Sequence, residues 1–403
     1  MRRVAPRAVA ATIIAVLATL IIAWQVALRL GIVGGTGEDK LFRPGDVAAC
    51  GPAWRVVQGP NPSKDYNELH AMSATAPNNI WAVGTLGTED FALTFITRWN
   101  GIGWNQMPSP SIPEFSNHLY GVSALPGGDA WAVGASHRGT DDWHTLAMRW
   151  EGSKWNIVST PNVAQISALN AVAALSAEDA WAVGESSTGS KGTGSRALIE
   201  HWNGHEWSIV LPPNTPPNST LSTIAALSGN NIWAAGSYSD KSGTLDRPLV
   251  LHYDGKGWST APTGDAAGAL WSIAAIANDN VWAVGNNGPQ SLTMHWDGTR
   301  WSVVPSPNPR RGSNSLNSVA ANGPNDVWAA GSSGGGGSDR TMSIHWDGTR
   351  WNAIPIPTTG DYSDTINSVA ALPNGDVWAV GSTIADTHGT NLAVIEKYSD
   401  PCR

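Results

Sequence analysis

The chain has 403 residues, a net charge of −8, only 14% charged residues, and 44 Gly, 26 Pro and 22 Trp. So many turn formers and so few charges exclude a protein of long helices and suit many short strands joined by turns. The acidic balance, with no basic stripe, excludes a nucleic-acid partner.

The N-terminus carries Arg2, Arg3 and Arg7, followed by a largely apolar run from Ala8 to Leu28. A helix of that length spans roughly 30 Å, the thickness of a bilayer core. The basic flank predicts a cytoplasmic residue 1–7 segment, a transmembrane signal anchor over 8–30, and everything later outside the cytoplasm. The exit sequence Trp24-Gln25-Val26-Ala27-Leu28-Arg29 makes a poor cleavage site, which favours an anchor over a cleaved, secreted form. Residues 31–49 are Gly-rich and then polar, and are expected to form a tether. With four arginines and no acid in residues 1–30, the exported part holds 20 Lys+Arg against 32 Asp+Glu, a net of −12.

From residue 50 to the end one phrase recurs seven times. It closes on Trp81, Trp131, Trp181, Trp233, Trp282, Trp328 and Trp378, each followed by Ala, Val or Ala, and Gly, at steps of 46 to 52 residues. A fixed period of this size marks a repeat array. Each unit divides into four predicted strands, here A to D. Strand A is the Leu-x-x-Val-Ala-Ala type run (Leu169 to Leu175 in the clearest copy), and strand B is the Trp-Ala-Val-Gly run. Strand C ends on an aromatic such as Trp99 or Tyr253, and strand D begins on a second Trp such as Trp104 or Trp258. Strands apolar on both sides of the pleat belong to sheets packed on both faces. The predicted fold is all-β: a seven-bladed β-propeller of four-stranded blades, residues 50–403, monomeric.

Spacing separates two edges of that disc. Twelve residues lead from the first residue of strand A to the strand B Trp in all seven units, and five lead from the strand C aromatic to the strand D Trp. The B-to-C gap instead runs from 14 to 21 residues, and the D-to-A gap from 12 to 15. In an antiparallel meander the A–B and C–D turns share one edge, so one edge is uniform and the other varied. Function is expected on the varied edge.

The C–D turn reads Trp-Asp-Gly-Thr-Arg-Trp at Trp296–Trp301 and Trp346–Trp351. It resembles the Asp-box of sialidase-type and photosystem-assembly-factor-type propellers, although Asp297 and Gly298 are adjacent here. The unit as a whole resembles the W-A-V-G repeats of bacterial surface propellers and, in length, kelch-like propellers. These resemblances imply the fold and no single shared activity.

A strand D-like segment, Trp54-Arg55-Val56-Val57, precedes every strand A, and the last unit stops after strand C. The N-terminal strand is therefore expected to complete the seventh blade. Cys50 and Cys402, the only cysteines, then fall at the same C–D junction, and a disulfide between them is expected in an exported domain.

A basic residue precedes each strand C aromatic: Arg98, Arg149, His201, His252, His295, His345 and Lys397. One per blade is too dispersed for a metal, and pairing with the Asp or Asn two before each strand B Trp is the better reading. The other histidines, His70, His118, His137, His144 and His388, map to the varied edge of blades seven, one and two. Glu68, Glu89, Asp90, Tyr120, Asp141, Asp142 and Trp143 lie in the same arc. The spacing shows no preformed metal motif, and neither metal nor other cofactor is expected.

The second position of strand A forms a predicted ring at the mouth of the central channel: His70, Tyr120, Asn170, Ser222, Trp271, Asn317 and Asn367. With Glu68 and His118, these are the candidate ligand-binding residues, polar and aromatic groups suited to a glycan or a protein segment. The alternative is that they only cap the inner strands. No arginine cluster, Ser/His/Asp set or phosphate loop stands out, so no catalytic residue is assigned. The expected function is a membrane-anchored extracytoplasmic binding scaffold rather than an enzyme. The competing expectation is a polysaccharide hydrolase or lyase using carboxylates of the same edge.

Overall fold

The structure, a computed structural model, describes residues 51–400 except 89–90, 190–193, 240–245, 335–337 and 361. The expected anchor, the tether, Cys50 and Cys402 lie outside the described residues. Among those residues there is no helix, and the strands form seven four-stranded antiparallel units. Strand A of each unit is Tyr66–Ala76, Ser116–Ala124, Ile166–Ser176, Ser219–Ser228, Ala269–Ala277, Ser313–Gly323 and Ser363–Ala371 in turn. Each of these inner strands touches the inner strand of the next unit, and the seventh touches the first, so the blades close into a ring. Blades one and seven, and blades two and three, are also joined by a single parallel bridge, Tyr66 to Asn391 and Ile166 to Trp143.

The strand Ala53–Val56 pairs antiparallel with the last strand, Asn391–Ser399, with Trp54 opposite Tyr398. It supplies the fourth strand of blade seven, as the sequence requires, and leaves no open edge at the seam. Gly51 N donates to Asp400 Oδ1 at 3.3 Å, so the two described ends of the chain meet there.

The strand B Trp is the wedge between blades. Trp81, fully buried, reaches into blade two with its ring 5.1 Å from Trp150 and 5.3 Å from Trp155. Trp378 closes the ring by the same contact, 4.9 Å from Trp99 and 5.6 Å from Trp104. Above each wedge sits the basic residue of strand C, bonded to the Asx of the A–B turn: Arg98 to Asn79 at 3.0 Å, His201 to Asp179 at 2.8 Å, Lys397 to Asp376 at 2.8 Å. The pairing occurs in all seven blades. The cation or imidazole caps the indole face, as with Arg98 at 4.8 Å from Trp81.

The glycine of Trp-Ala-Val-Gly has a steric cause. A Cβ on Gly84 would stand 1.9 Å from the Glu68 carbonyl oxygen, and at Gly134, Gly184, Gly236, Gly285, Gly331 and Gly381 the approach is 1.9 to 2.0 Å. The crowding comes from the facing strand A, which carries a bulge at the same place in every blade. Register slips between Leu69 and Ala71, Leu119 and Gly121, Leu169 and Ala171, Leu221 and Thr223, Leu270 and Ser272, Leu316 and Ser318, and Ile366 and Ser368. Each bulge leaves one residue out of the ladder and re-aims it.

Every seam around the axis carries a polar staple. Hydroxyls of Ser73, Ser123, Thr223, Ser272, Ser318 and Ser368 each accept an amide hydrogen from the next blade, at 3.0 to 3.2 Å. Between blades three and four the staple is Asn170 Nδ2 to Leu221 O, 2.9 Å.

Candidate functional site

The seven bulge residues are the seven of the predicted ring: His70, Tyr120, Asn170, Ser222, Trp271, Asn317 and Asn367. They line one axial cavity of about 260 Å³ together with the two following residues of each inner strand. The bulge explains why a second-position side chain leaves the blade and enters the channel. What these side chains do there differs. Asn170, Asn317 and Asn367 each donate to the first-position carbonyl of the next blade, at 2.9, 2.9 and 3.0 Å, and so hold the ring together. Trp271 is 42% exposed, its indole N–H held by Asn286 Oδ1 at 2.7 Å. Tyr120 lies between two histidines, 5.7 Å from His70 and stacked 5.9 Å from His118.

Glu68 stands two residues before His70 on the same strand. Its carboxylate accepts from Tyr66 Oη, from Asn367 Nδ2 at 3.0 Å and from Ser382 Oγ at 3.4 Å, and it faces His70 Nδ1 at 3.7 Å. Burial, and secondarily Glu68, push the Tyr66 phenol well above its ordinary range. Tyr120 is raised in the same way by burial, then by Glu68 and Glu185. Burial holds the His70 imidazole below its ordinary value against the opposing pull of Glu68.

From His70 a chain of close polar contacts runs outward. His70 Nε2 is 3.3 Å from Thr85 Oγ1, Thr85 Oγ1 is 3.2 Å from His118 Nδ1, and His118 Nε2 is 3.1 Å from His137 Nε2. His137 Nδ1 ends the chain on the Gly139 carbonyl at 2.8 Å, with its ring stacked 4.0 Å from Trp143. Three of the five histidines placed in this arc by the sequence therefore meet. His144 instead pairs with Asp142 at 3.0 Å, and His388 donates its backbone N–H to Asp386 in its own loop. Glu89 and Asp90 lie outside the described residues. Among the described residues no group of three His, Cys, Asp or Glu is placed to hold a metal ion.

Sequence reasoning missed Tyr66, Thr85, Glu185 and Ser382. Three of them share a repeat position, the fourth residue after the strand B Trp, which the register sets opposite the residue before strand A's Leu: Thr85 faces Glu68 and Glu185 faces Ala168. That position was the available signal.

A larger cavity, about 550 Å³, opens between blades four and five on the uniform edge, lined by Trp233, His252, Ala261 and Trp296. A smaller side chain at one position enlarges it. Ala261 occupies the place, three after the strand D Trp, where the other blades have Val57, Met107, Val158, Val210, Val304 and Ile354. The axial cavity, though smaller, gathers the non-repeating polar groups.

No protein-family model matches the chain, and no curated protein does. Solved structures do. YCF48 from Cyanidioschyzon merolae is 17% identical with a TM-score of 0.53, over 86% of this chain and 98% of that one. YCF48 bound to D1 peptide is 15% identical with a TM-score of 0.53, over 86% and 96%. A protein of unknown function from Dyadobacter fermentans is 11% identical with a TM-score of 0.51, over 86% and 98%. The chain is a β-propeller of four-stranded blades. At these identities the likeness carries the fold alone.

Proposed function

We propose that the chain is a binding scaffold, anchored in a membrane by residues 8–30 with the propeller outside the cytoplasm, whose ligand seats at the mouth of the axial channel. One observation supports this most: the bulge delivers seven side chains of five kinds into one small cavity within a scaffold that is otherwise repeated. Tyr120 and Trp271 offer aromatic faces, and His70 and Ser222 offer hydrogen bonds, which suit a peptide segment or a glycan. That YCF48 has been captured with a D1 peptide fits a peptide ligand. The hydrolase or lyase reading needs carboxylates able to turn to a substrate. Glu68 is already engaged by three donors, and Glu185 accepts from Thr220 at 3.0 Å.

The test compares the wild-type full-length chain with a Tyr120→Ala/Trp271→Ala double variant and an Asp297→Ala/Asp347→Ala variant on a glycan array and against a membrane-fraction peptide library. Ligands lost in the first variant and kept in the second support the reading. A ligand set untouched by the first variant, or release of reducing ends or unsaturated sugars from an arrayed glycan, overturns it.

A further inference from the structure

We propose that His70, Thr85, His118 and His137 form a proton relay from the axial channel to the rim of blade two, so that the channel beside Glu68 is an acid–base site whose proton is exchanged at His137. The chain of contacts has a direction, and one atom fixes it. The Gly139 carbonyl can only accept, so His137 Nδ1 carries a hydrogen. When His137 is neutral, its Nε2 is then a bare acceptor, and His118 Nε2 must donate to it across 3.1 Å. Neutral His118 is left with an acceptor Nδ1, which takes the Thr85 hydroxyl hydrogen. Thr85 Oγ1 in turn accepts from His70 Nε2–H, and His70 Nδ1 faces the Glu68 carboxylate. The two outer imidazoles, His118 and His137, have nearly parallel planes, 8° apart, with centroids 5.2 Å apart, which with the 3.1 Å Nε2–Nε2 separation sets those two nitrogens toward one another. That separation is the length of an N–H···N hydrogen bond.

A second set of protons satisfies the same atoms. A proton added at His70 Nδ1 lets each hydrogen move one bond outward: from His70 Nε2 to Thr85, from Thr85 to His118 Nδ1, and from His118 Nε2 to His137 Nε2. Only N–H and O–H bonds break and form, and no heavy atom moves. The positive charge leaves the channel and appears on His137, stacked on the Trp143 face at 4.0 Å, where a cation is favoured. Thr85 is fully buried, so the hydroxyl in the middle of the chain is shielded from bulk water.

The charged and titratable groups around the two ends differ. Glu68, Tyr66 and Tyr120 surround the inner end, with Glu185 beyond Tyr120. In the loops at the outer end the Asp142–His144 and Arg138–Glu114 pairs are already formed, at 3.0 and 3.6 Å. The inner end disfavours a lone imidazolium through burial, and the outer end is half-exposed. A ligand group that gives up a proton beside Glu68 would thus leave its charge at the rim. The relay itself is a property of the unliganded protein.

The experiment reads histidine protonation directly, in the full-length chain with ¹⁵N-labelled histidine. Long-range ¹H–¹⁵N spectra at high pH should show His137 as the Nδ1–H tautomer and His70 and His118 as Nε2–H. On uptake of the first proton the three should change together at one midpoint, because that proton belongs to the set and not to one ring. His70 and His118 should switch to Nδ1–H and His137 should become doubly protonated. Thr85→Val should break the unit, separating the His70 midpoint from that of the His118–His137 pair by about one pH unit or more. Thr85→Ser, which keeps the hydroxyl, should restore the common midpoint and serves as the folding control. Three separate midpoints in the wild type, a different tautomer on His137, or identical titrations in the wild type and Thr85→Val overturn the relay. No ligand enters the test, so its failure leaves the binding proposal standing.

Discussion

Glu200 and Glu396 occupy the same repeat position, two before the strand C aromatic, in blades three and seven. Both are fully buried, and among the described residues none of their four carboxylate oxygens has a hydrogen-bond partner. Burial raises each carboxyl from 4.5 to about 8, helped at Glu396 by the nearby Asp364 carboxylate. The folded protein therefore keeps these two groups protonated at neutral pH, while the unfolded chain ionises them above 4.5. Their contribution to stability is present in full below pH 4.5 and is lost as the pH rises from there through 8. At roughly 1.4 kcal/mol per pH unit, the ceiling is about 5 kcal/mol for each residue, of which about 3 kcal/mol has gone by pH 7. Glu→Gln holds the shape and removes the ionisation. Glu200→Gln and Glu396→Gln should match the wild type near pH 4, exceed it by just under ~1 kcal/mol each at pH 5, and by about 3 kcal/mol each at pH 7. The two sites are in different blades and should add. Denaturant melts at pH 5, 6, 7 and 8 measure this. Wild-type stability that does not fall across that range, or Gln variants that track it in parallel, would refute the burial argument.

Three further outcomes are expected. Gly184→Ala should cost more than about 2 kcal/mol, because the new Cβ meets the Ala168 carbonyl oxygen at 1.9 Å, whereas Gly152→Ala, at φ +78° with nothing within 4 Å, should cost only about 1 to 2 kcal/mol of backbone strain; chemical denaturation distinguishes them. Ala261→Val should fill part of the blade four–five cavity and gain about 0.5 to 1 kcal/mol, and a loss in the same assay would show that the space is not open to a side chain. The Cys50–Cys402 disulfide is a proposal resting on their sequence positions and on the meeting of Gly51 with Asp400; thiol titration of the unreduced, denatured full-length chain should find no free thiol, and two would refute it.

Much of the fold was legible because its determinants repeat at fixed distance. Twelve residues from strand A to the strand B Trp, and five from the strand C aromatic to the strand D Trp, fix strand length and turn length together. Hence the blades, the closing strand at Trp54 and the cap of basic residue on Asx all follow from counting. The bulge did not follow, since one extra residue in strand A leaves the count from Leu69 to Trp81 unchanged in every blade. Only the unvarying Gly84 position hinted at it, through a backbone approach that no sequence displays. The histidine chain was half visible. His70, His118 and His137 fell in one arc, but their link, Thr85, sits on strand B of the blade before His118, 33 residues away. Contact there depends on how two blades lie against each other.

The ring position itself shows why repeats and function separate in this molecule. Where blades three, six and seven carry Asn, the side chain reaches the next blade's first carbonyl and does one structural task three times. Blades one, two, four and five carry His, Tyr, Ser and Trp at the same bulge, and their seams around the axis are held by the hydroxyls of Ser73, Ser123, Thr223 and Ser272. Blades six and seven have both the hydroxyl, Ser318 or Ser368, and the Asn, so where the hydroxyl is present the bulge residue is not needed to hold the ring. Those four released positions, rather than the whole ring, are where a substitution can alter what the channel contacts without loosening a seam. It is at one of them, His70, that the polar chain toward His137 begins, with Tyr120 packed between His70 and His118.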